Sequence, residues 1–117
     1  MLINTPISLG ELVDKISILI IKKKNISDSI KLEHVTKELD FLQKTLKEYI
    51  SEDKINKFIQ ELININSKLW KIEDDIRECE RKKIFDQIFI DLARSVYFTN
   101  DERAKVKNDI NKTFGSE

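Results

Sequence analysis

The sequence predicts an all-α protein: a long antiparallel, coiled-coil-like helical hairpin with an N-terminal helix and one or two C-terminal helices packed on it. Three observations predict it. Apolar residues recur at steps of three and four through most of the chain, the period of one helical face, and no strand-like alternation lasts beyond a few residues. Two long stretches of this spacing are separated only by the polar turn Ser51, Glu52 and Asp53. Two glycines and one proline in 117 residues leave few places for a chain to break.

Thr5, Pro6 and Ile7 form an extended lead-in, and Ser8 followed by Glu11 is the reciprocal capping arrangement that satisfies free amides at a helix start. The first helix therefore begins near Leu9. Leu9, Leu12, Val13, Ile16, Leu19 and Ile20 share a face, Gly10 weakens the first turn a little, and Lys22, Lys23 and Lys24 put positive charge at the carbonyl end. Asn25 is expected to terminate this helix by adopting the left-handed conformation.

A second helix is expected from Asp28 or Ser29, with Leu32, Val35, Leu39, Leu42, Leu46 and Tyr49 as a heptad seam. Ile55, Phe58, Leu62, Ile65, Leu69, Ile72, Ile76 and Cys79 repeat that spacing in a third, longest helix. The short turn between these two seams predicts that the second and third helices run antiparallel and face each other. Beyond Arg81, Ile84, Phe85, Ile88, Phe89, Leu92, Ala93, Val96 and Tyr97 make a broader stripe, suited to a helix touching two neighbours. The pattern leaves open whether the third helix continues into it or kinks near Lys82. Thr99 with Glu102 repeats the capping signature and predicts a last helix over 100–112, with Ala104, Val106 and Ile110 inward and Phe114 and Gly115 at its close.

A chain this long that is 40% apolar fits one helical domain over residues 1–117. Lys plus Arg and Asp plus Glu both number 21, so net charge selects no polyanion, anionic membrane or acidic substrate. The longest apolar run is the four residues Ile18 to Ile21, and no signal peptide or membrane span is expected. Cys79, the single cysteine, excludes an intramolecular disulfide and a multi-cysteine zinc site, and makes a reducing cytoplasm the default location.

His34 is the one histidine, so no His-based metal cluster can form, and the chain has neither a glycine-rich phosphate loop nor a GxSxG turn. His34 lies beside the second helix's stripe and reads as solvated; Cys79 sits in a seam and reads as a small buried apolar residue. Carboxylates are the abundant catalytic material. Glu11 and Asp14 share a face, as do Asp74, Asp75 and Glu78, and such pairs can hold magnesium in all-α pyrophosphohydrolases. They are also what solvated helix faces carry: Glu11 with Lys15 and Glu73 with Arg77 have the stabilising i, i+4 order. The clusters Lys22–Lys24 and Arg81–Lys83 lie near helix ends, where cations meet the dipole; without interleaved aromatics, nucleic acid is a disfavoured partner. Between Leu92 and Asn111, Arg94, Tyr97, Asn100, Asp101, Arg103 and Lys107 crowd the expected helix junction, readable as caps and ion pairs or as an anion pocket.

With GELVDKISILIIK, LWKIEDDIRECE and LARSVYFTNDERAKVKNDIN, the chain resembles a family of small bacterial and phage-encoded proteins catalogued as a domain of unknown function. That resemblance implies no activity; it singles out Glu11, Asp14, Lys15, Trp70, Glu73, Asp74, Arg77, Arg94, Tyr97, Asn100, Asp101 and Arg103. A looser similarity of architecture to the chorismate mutase class stops at the first helix, which has no arginine and keeps three of its four lysines at its end.

The leading expectation is a non-enzymatic interaction or assembly module that needs no cofactor or metal. Phe41, Ile59, Ile63 and Trp70 lie beside the seams as surplus apolar surface, which points to a homodimer and to a further protein partner. The alternative is a small all-α enzyme or binding protein for a nucleotide or other anionic metabolite. It assigns Glu11, Asp14, Glu73 and Asp74 to a metal, and Arg77, Arg94 and Lys107 to the anion.

Overall fold

The computed structural model describes residues 1–116, and its four helices are α1 (Leu9–Asn25), α2 (Ser29–Tyr49), α3 (Glu52–Lys82) and α4 (Gln87–Phe114). No strand occurs among the described residues, and none of these helices is long and apolar enough to cross a membrane. The starts of α1 and α2 follow the expected caps. Ser8 Oγ accepts from the Glu11 amide at 3.2 Å, and Asp28 accepts from the amides of Ile30 and Lys31. Asn25 does end α1, but not through a left-handed turn: its Nδ2 donates to the Ile21 carbonyl at 2.8 Å, and the next residue, Ile26, is extended.

The all-α class and the long antiparallel hairpin hold, but α3 and α4 form that hairpin. Phe58 meets Phe114 edge to face, ring centroids 5.9 Å apart, and Lys68 lies 3.6 Å from Glu102, so the two helices run in opposite directions from the connection at 83–86. The expected pairing of α2 with α3 does not occur along their lengths. Instead α1 packs against α2, α3 and α4. The reason lies in α1 itself, where Leu12, Val13, Ile16, Leu19 and Ile21 are all buried and form a girdle wider than one stripe. Three connections in this chain are comparably short, so shortness could not choose among neighbours; the helix with the widest apolar surface takes the centre. Of α2's seam only Leu39 and Leu46 are buried, and Tyr49 is exposed.

Two further expectations change at the far end. The third helix stops at Lys82 because Lys83 adopts the left-handed conformation (φ 56°), with the Ile84 amide closing onto the Cys79 carbonyl at 3.0 Å. Asp86 then caps α4 by accepting from the Ile88 and Phe89 amides, which leaves Ile84 and Phe85 exposed in the connection instead of on a helical stripe. The capping signature at Thr99 does not restart a helix. Thr99 is buried in the middle of a continuous α4, which packs against both α3 and α1. Ile110 is buried and Gly115 ends the helix at φ 66°, as expected, while Ala104 faces solvent.

The core therefore sits at one end of the hairpin. It is built from α1, Leu39 and Leu46 of α2, Ile55 and Leu62 of α3, and Ile110 of α4. There the start of α1 docks on the end of α4: the Leu9 amide donates to Ser116 Oγ at 2.8 Å and the Gly10 amide to Asn111 Oδ1 at 2.7 Å, so two orphan amides of one helix are satisfied by another. A Cβ at Gly10 would stand 2.5 Å from the Lys107 carbonyl oxygen. On an isolated helix, Gly10→Ala would gain about 1 kcal/mol. Here it must push α1 off the α4 backbone, and the expected result is a net loss of about 1–2 kcal/mol. A urea titration checks this as a lower midpoint at unchanged slope.

Candidate functional site

Two places concentrate the residues singled out by sequence. The first is the interior where α1 meets the hairpin. Asp14, only 2% exposed, projects from α1 between α3 and α4, an environment in which an unpaired carboxylate would be strongly disfavoured. It is fully engaged. Arg103 Nε donates to Asp14 Oδ1 at 3.0 Å, and Arg103 Nη2 to Oδ2 at 2.5 Å, the two-pronged geometry that suits a guanidinium. Asn66 Nδ2 of α3 donates to Asp14 Oδ1 at 2.9 Å and to Ser17 Oγ at 2.8 Å, and the Ser17 hydroxyl donates to the Asp14 carbonyl. Lys107, one turn beyond Arg103, lies 2.5 Å from Glu11 Oε1 and 3.9 Å from Asp14 Oδ2.

The hydrogen bonds that Arg103 donates to Asp14 raise its pKa above the ordinary arginine value; burial pulls the other way, and the charges of Asp14, Glu11 and Glu73 add to the rise. With its folded pKa raised, Arg103 contributes fully at every pH below the arginine range and loses that contribution only above it. The pair does not switch near neutrality through its arginine.

The cluster brings together Glu11, Asp14, Arg103 and Lys107, with Glu73 near enough to act on Arg103. It does not include the others. Lys15 turns to Glu38 on α2 at 3.7 Å, and Arg77 pairs with Asp74 at 2.5 Å, so neither i, i+4 pairing expected for Glu11 or Glu73 forms. Asn100 and Asp101 are exposed on a continuous helix, where no amide awaits a cap. Sequence reading missed Asn66 and Ser17; the one signal for them was a polar residue beside apolar ones, Asn66 after Ile65 and Ser17 between Ile16 and Ile18.

Chemically, the cluster is closed. Among the described residues no buried side-chain nitrogen or oxygen lacks a partner, and no three of His, Cys, Asp and Glu gather as a metal would require. Glu11, Asp14, Glu73 and Asp74 therefore do not form one donor set. A groove of about 540 Å³ between the lead-in, the end of α2 and the end of α4 is lined by Leu12, Phe41, Tyr49 and Phe114 among others, with no charged side chain to hold an anion.

The second place is the outer half of the hairpin, beyond the reach of the core. Here Ile72, Ile76 and Cys79 of α3, and Phe89, Leu92 and Val96 of α4, are only half-buried, while Phe85, Ile88, Ile90, Tyr97 and Phe98 are exposed. Cys79 thus falls short of the burial expected for it; His34, by contrast, is exposed as expected. The Tyr97 and Phe98 rings meet edge to face at 5.8 Å, and the Arg94 guanidinium lies 5.8 Å from the Phe98 ring centroid.

The model of a family of unknown function, DUF6165, matches residues 3–116, taking in the interior cluster and the outer hairpin alike. The chain belongs to this family. No curated protein and no solved structure matches it.

Arg103→Leu strands the Asp14 carboxylate in the interior and is expected to cost about 3 kcal/mol, since breaking a buried pair is worse than never having it. Replacing both partners, as Asp14→Leu with Arg103→Leu, should recover a large part of that loss. Urea unfolding of the two single variants and the double variant checks the coupling.

Proposed function

We propose that this chain is a non-enzymatic helical interaction module, acting in the cytoplasm of a bacterial or phage-infected cell, with the outer half of the α3–α4 hairpin as its docking arm. The observation that carries the reading is the separation of the two places. At the base, buried polar groups are mutually satisfied; on the arm, Tyr97 is 67% exposed, Phe98 55% and Ile88 64%, all on the outer half of α4. Scattered single apolar residues on a surface are ordinary, but aromatic and aliphatic side chains gathered on a projecting element mark a contact surface. Of the groups that catalysis would use, Glu11, Asp14, Asp74, Arg77 and Lys107 are spent on ion pairs within the chain, most completely Asp14 with Arg103.

The test replaces Phe98 by a photo-reactive benzoylphenylalanine in the cell that naturally makes the protein, with the same replacement at exposed His34 on α2 as control. Irradiation is expected to yield a discrete protein adduct from position 98 and none from position 34. If position 98 gives no adduct above the mass of the free chain, the arm is not a docking surface and the reading fails.

A further inference from the structure

We propose that the groove between the lead-in, the end of α2 and the end of α4 is a binding site for a small uncharged molecule, largely apolar and bearing an acceptor oxygen such as a ketone. The site lies at the opposite end of the hairpin from the docking arm and does not depend on it.

Its volume of about 540 Å³ falls within the roughly 300–1,000 Å³ of small-molecule sites. Thirteen residues line it, about half of what one side of a protein–protein interface engages, so its dimensions suit a compact ligand better than a second protein surface. Burial is graded across it: Leu12 is buried, Leu42 and Phe114 are half-buried, and Phe41 and Tyr49 are 66% and 71% exposed. The walls are also tied together. The Leu9 amide donates to Ser116 Oγ at 2.8 Å, joining the end of the lead-in to the chain just past α4, and Phe58 of α3 braces the Phe114 ring edge to face. Such a groove is formed before any ligand arrives, so little ordering opposes binding.

The lining has no charged side chain, although 36% of the chain is Asp, Glu, Lys or Arg. Depressions elsewhere on the surface do carry charge: one holds Lys47 and Glu52, and another is lined entirely by acidic and basic residues of α3. An ionised ligand would leave water without gaining a counter-charge in the groove, which strongly disfavours it, whereas an apolar one gains by the same transfer. Two hydroxyls supply the polar contact. Ser8 Oγ accepts from the Glu11 amide at 3.2 Å and Ser116 Oγ from the Leu9 amide, and neither hydroxyl donates to a group among the described residues. Each keeps its proton for an acceptor in the groove, whereas Thr45 gives its own to the Phe41 carbonyl. A carbonyl or ether oxygen on an otherwise apolar frame matches that supply, and Phe41, Tyr49 and Phe114 offer rings for the frame to pack on.

The experiment titrates the full chain into prodan, an uncharged naphthalene with one ketone oxygen, whose emission brightens and moves to shorter wavelength out of water. The same titration is run with Phe41→Glu and Tyr49→Glu in the groove, with Phe98→Glu on the arm, and with the anionic dye anilinonaphthalene sulfonate. All three substituted side chains are exposed, and unchanged circular dichroism and urea midpoints show that a variant folds as the wild type does. Saturable binding of one prodan per chain is expected. It should be weaker by about tenfold or more in each groove variant, where a carboxylate stands beside the apolar ligand, and unchanged in Phe98→Glu. Absence of saturable, blue-shifted emission with protein at about 0.1 mM, enough to half-fill a site of that dissociation constant, overturns the proposal. So does binding that neither groove variant weakens, or that Phe98→Glu weakens as much as they do. If the anionic dye binds as tightly and is lost in the same variants, the groove accepts charge and the assignment of an uncharged ligand is overturned.

Discussion

A carboxylate placed in an interior must find partners, and Asp14 is the group around which this fold is arranged. Its side chain sits on the central helix, yet its partners come from both arms of the hairpin, Asn66 on α3 and Arg103 on α4. Hydrophobic packing is tolerant of sliding, because a leucine shifted by one turn still finds apolar neighbours. A two-pronged ion pair is not, because a shift of one turn leaves two charges buried and apart. The Asp14 cluster therefore sets the position of α1 along the groove of the hairpin, and Gly10 sets how closely it lies, by allowing the Lys107 carbonyl within the space a methyl group would fill.

That anchorage has a consequence for the other end of the molecule. α1 has 17 residues and α3 has 31, so a helix locked by its first half against the base of the hairpin cannot cover the outer half as well. On the arm the seam residues Ile72, Ile76 and Cys79 of α3 and Leu92 and Val96 of α4 are only half-buried. Few buried apolar contacts and many solvent-facing backbone bonds place such a region at the less stable end of a protein's range of local opening. The base and the arm thus differ in kind, one over-determined and the other under-covered, although both belong to the same two helices.

What the sequence made legible, and what it hid, divides along the same physical line. Ser8 and Asp28 announce helix starts because a cap acts on amides two or three residues away, and the seams of α3 read correctly because helical period is a local property. Partner choice is not local. The stripe of α2 says that one face is apolar, not that α1 would cover it in place of α3; Glu11 and Lys15 have the spacing of a pair, but Lys107 and Glu38 approach from other helices and take them instead. Asp14 and Arg103 were both visible as polar residues of interest, but nothing in the chain marks that these residues, 89 apart in sequence, touch. Thr99 with Glu102 misled for a different reason, since a threonine followed by an acid also occurs inside helices, and only burial tells a cap from an ordinary turn.

The contrast between satisfied and unsatisfied groups also explains why chemistry-bearing residues are a poor guide here and apolar ones a better guide. A catalytic group must keep some of its bonding capacity free for a substrate, and Asp14 has given both oxygens to the protein. The capacity left over along the outer hairpin is largely apolar area, with Ile88, Tyr97 and Phe98 exposed there.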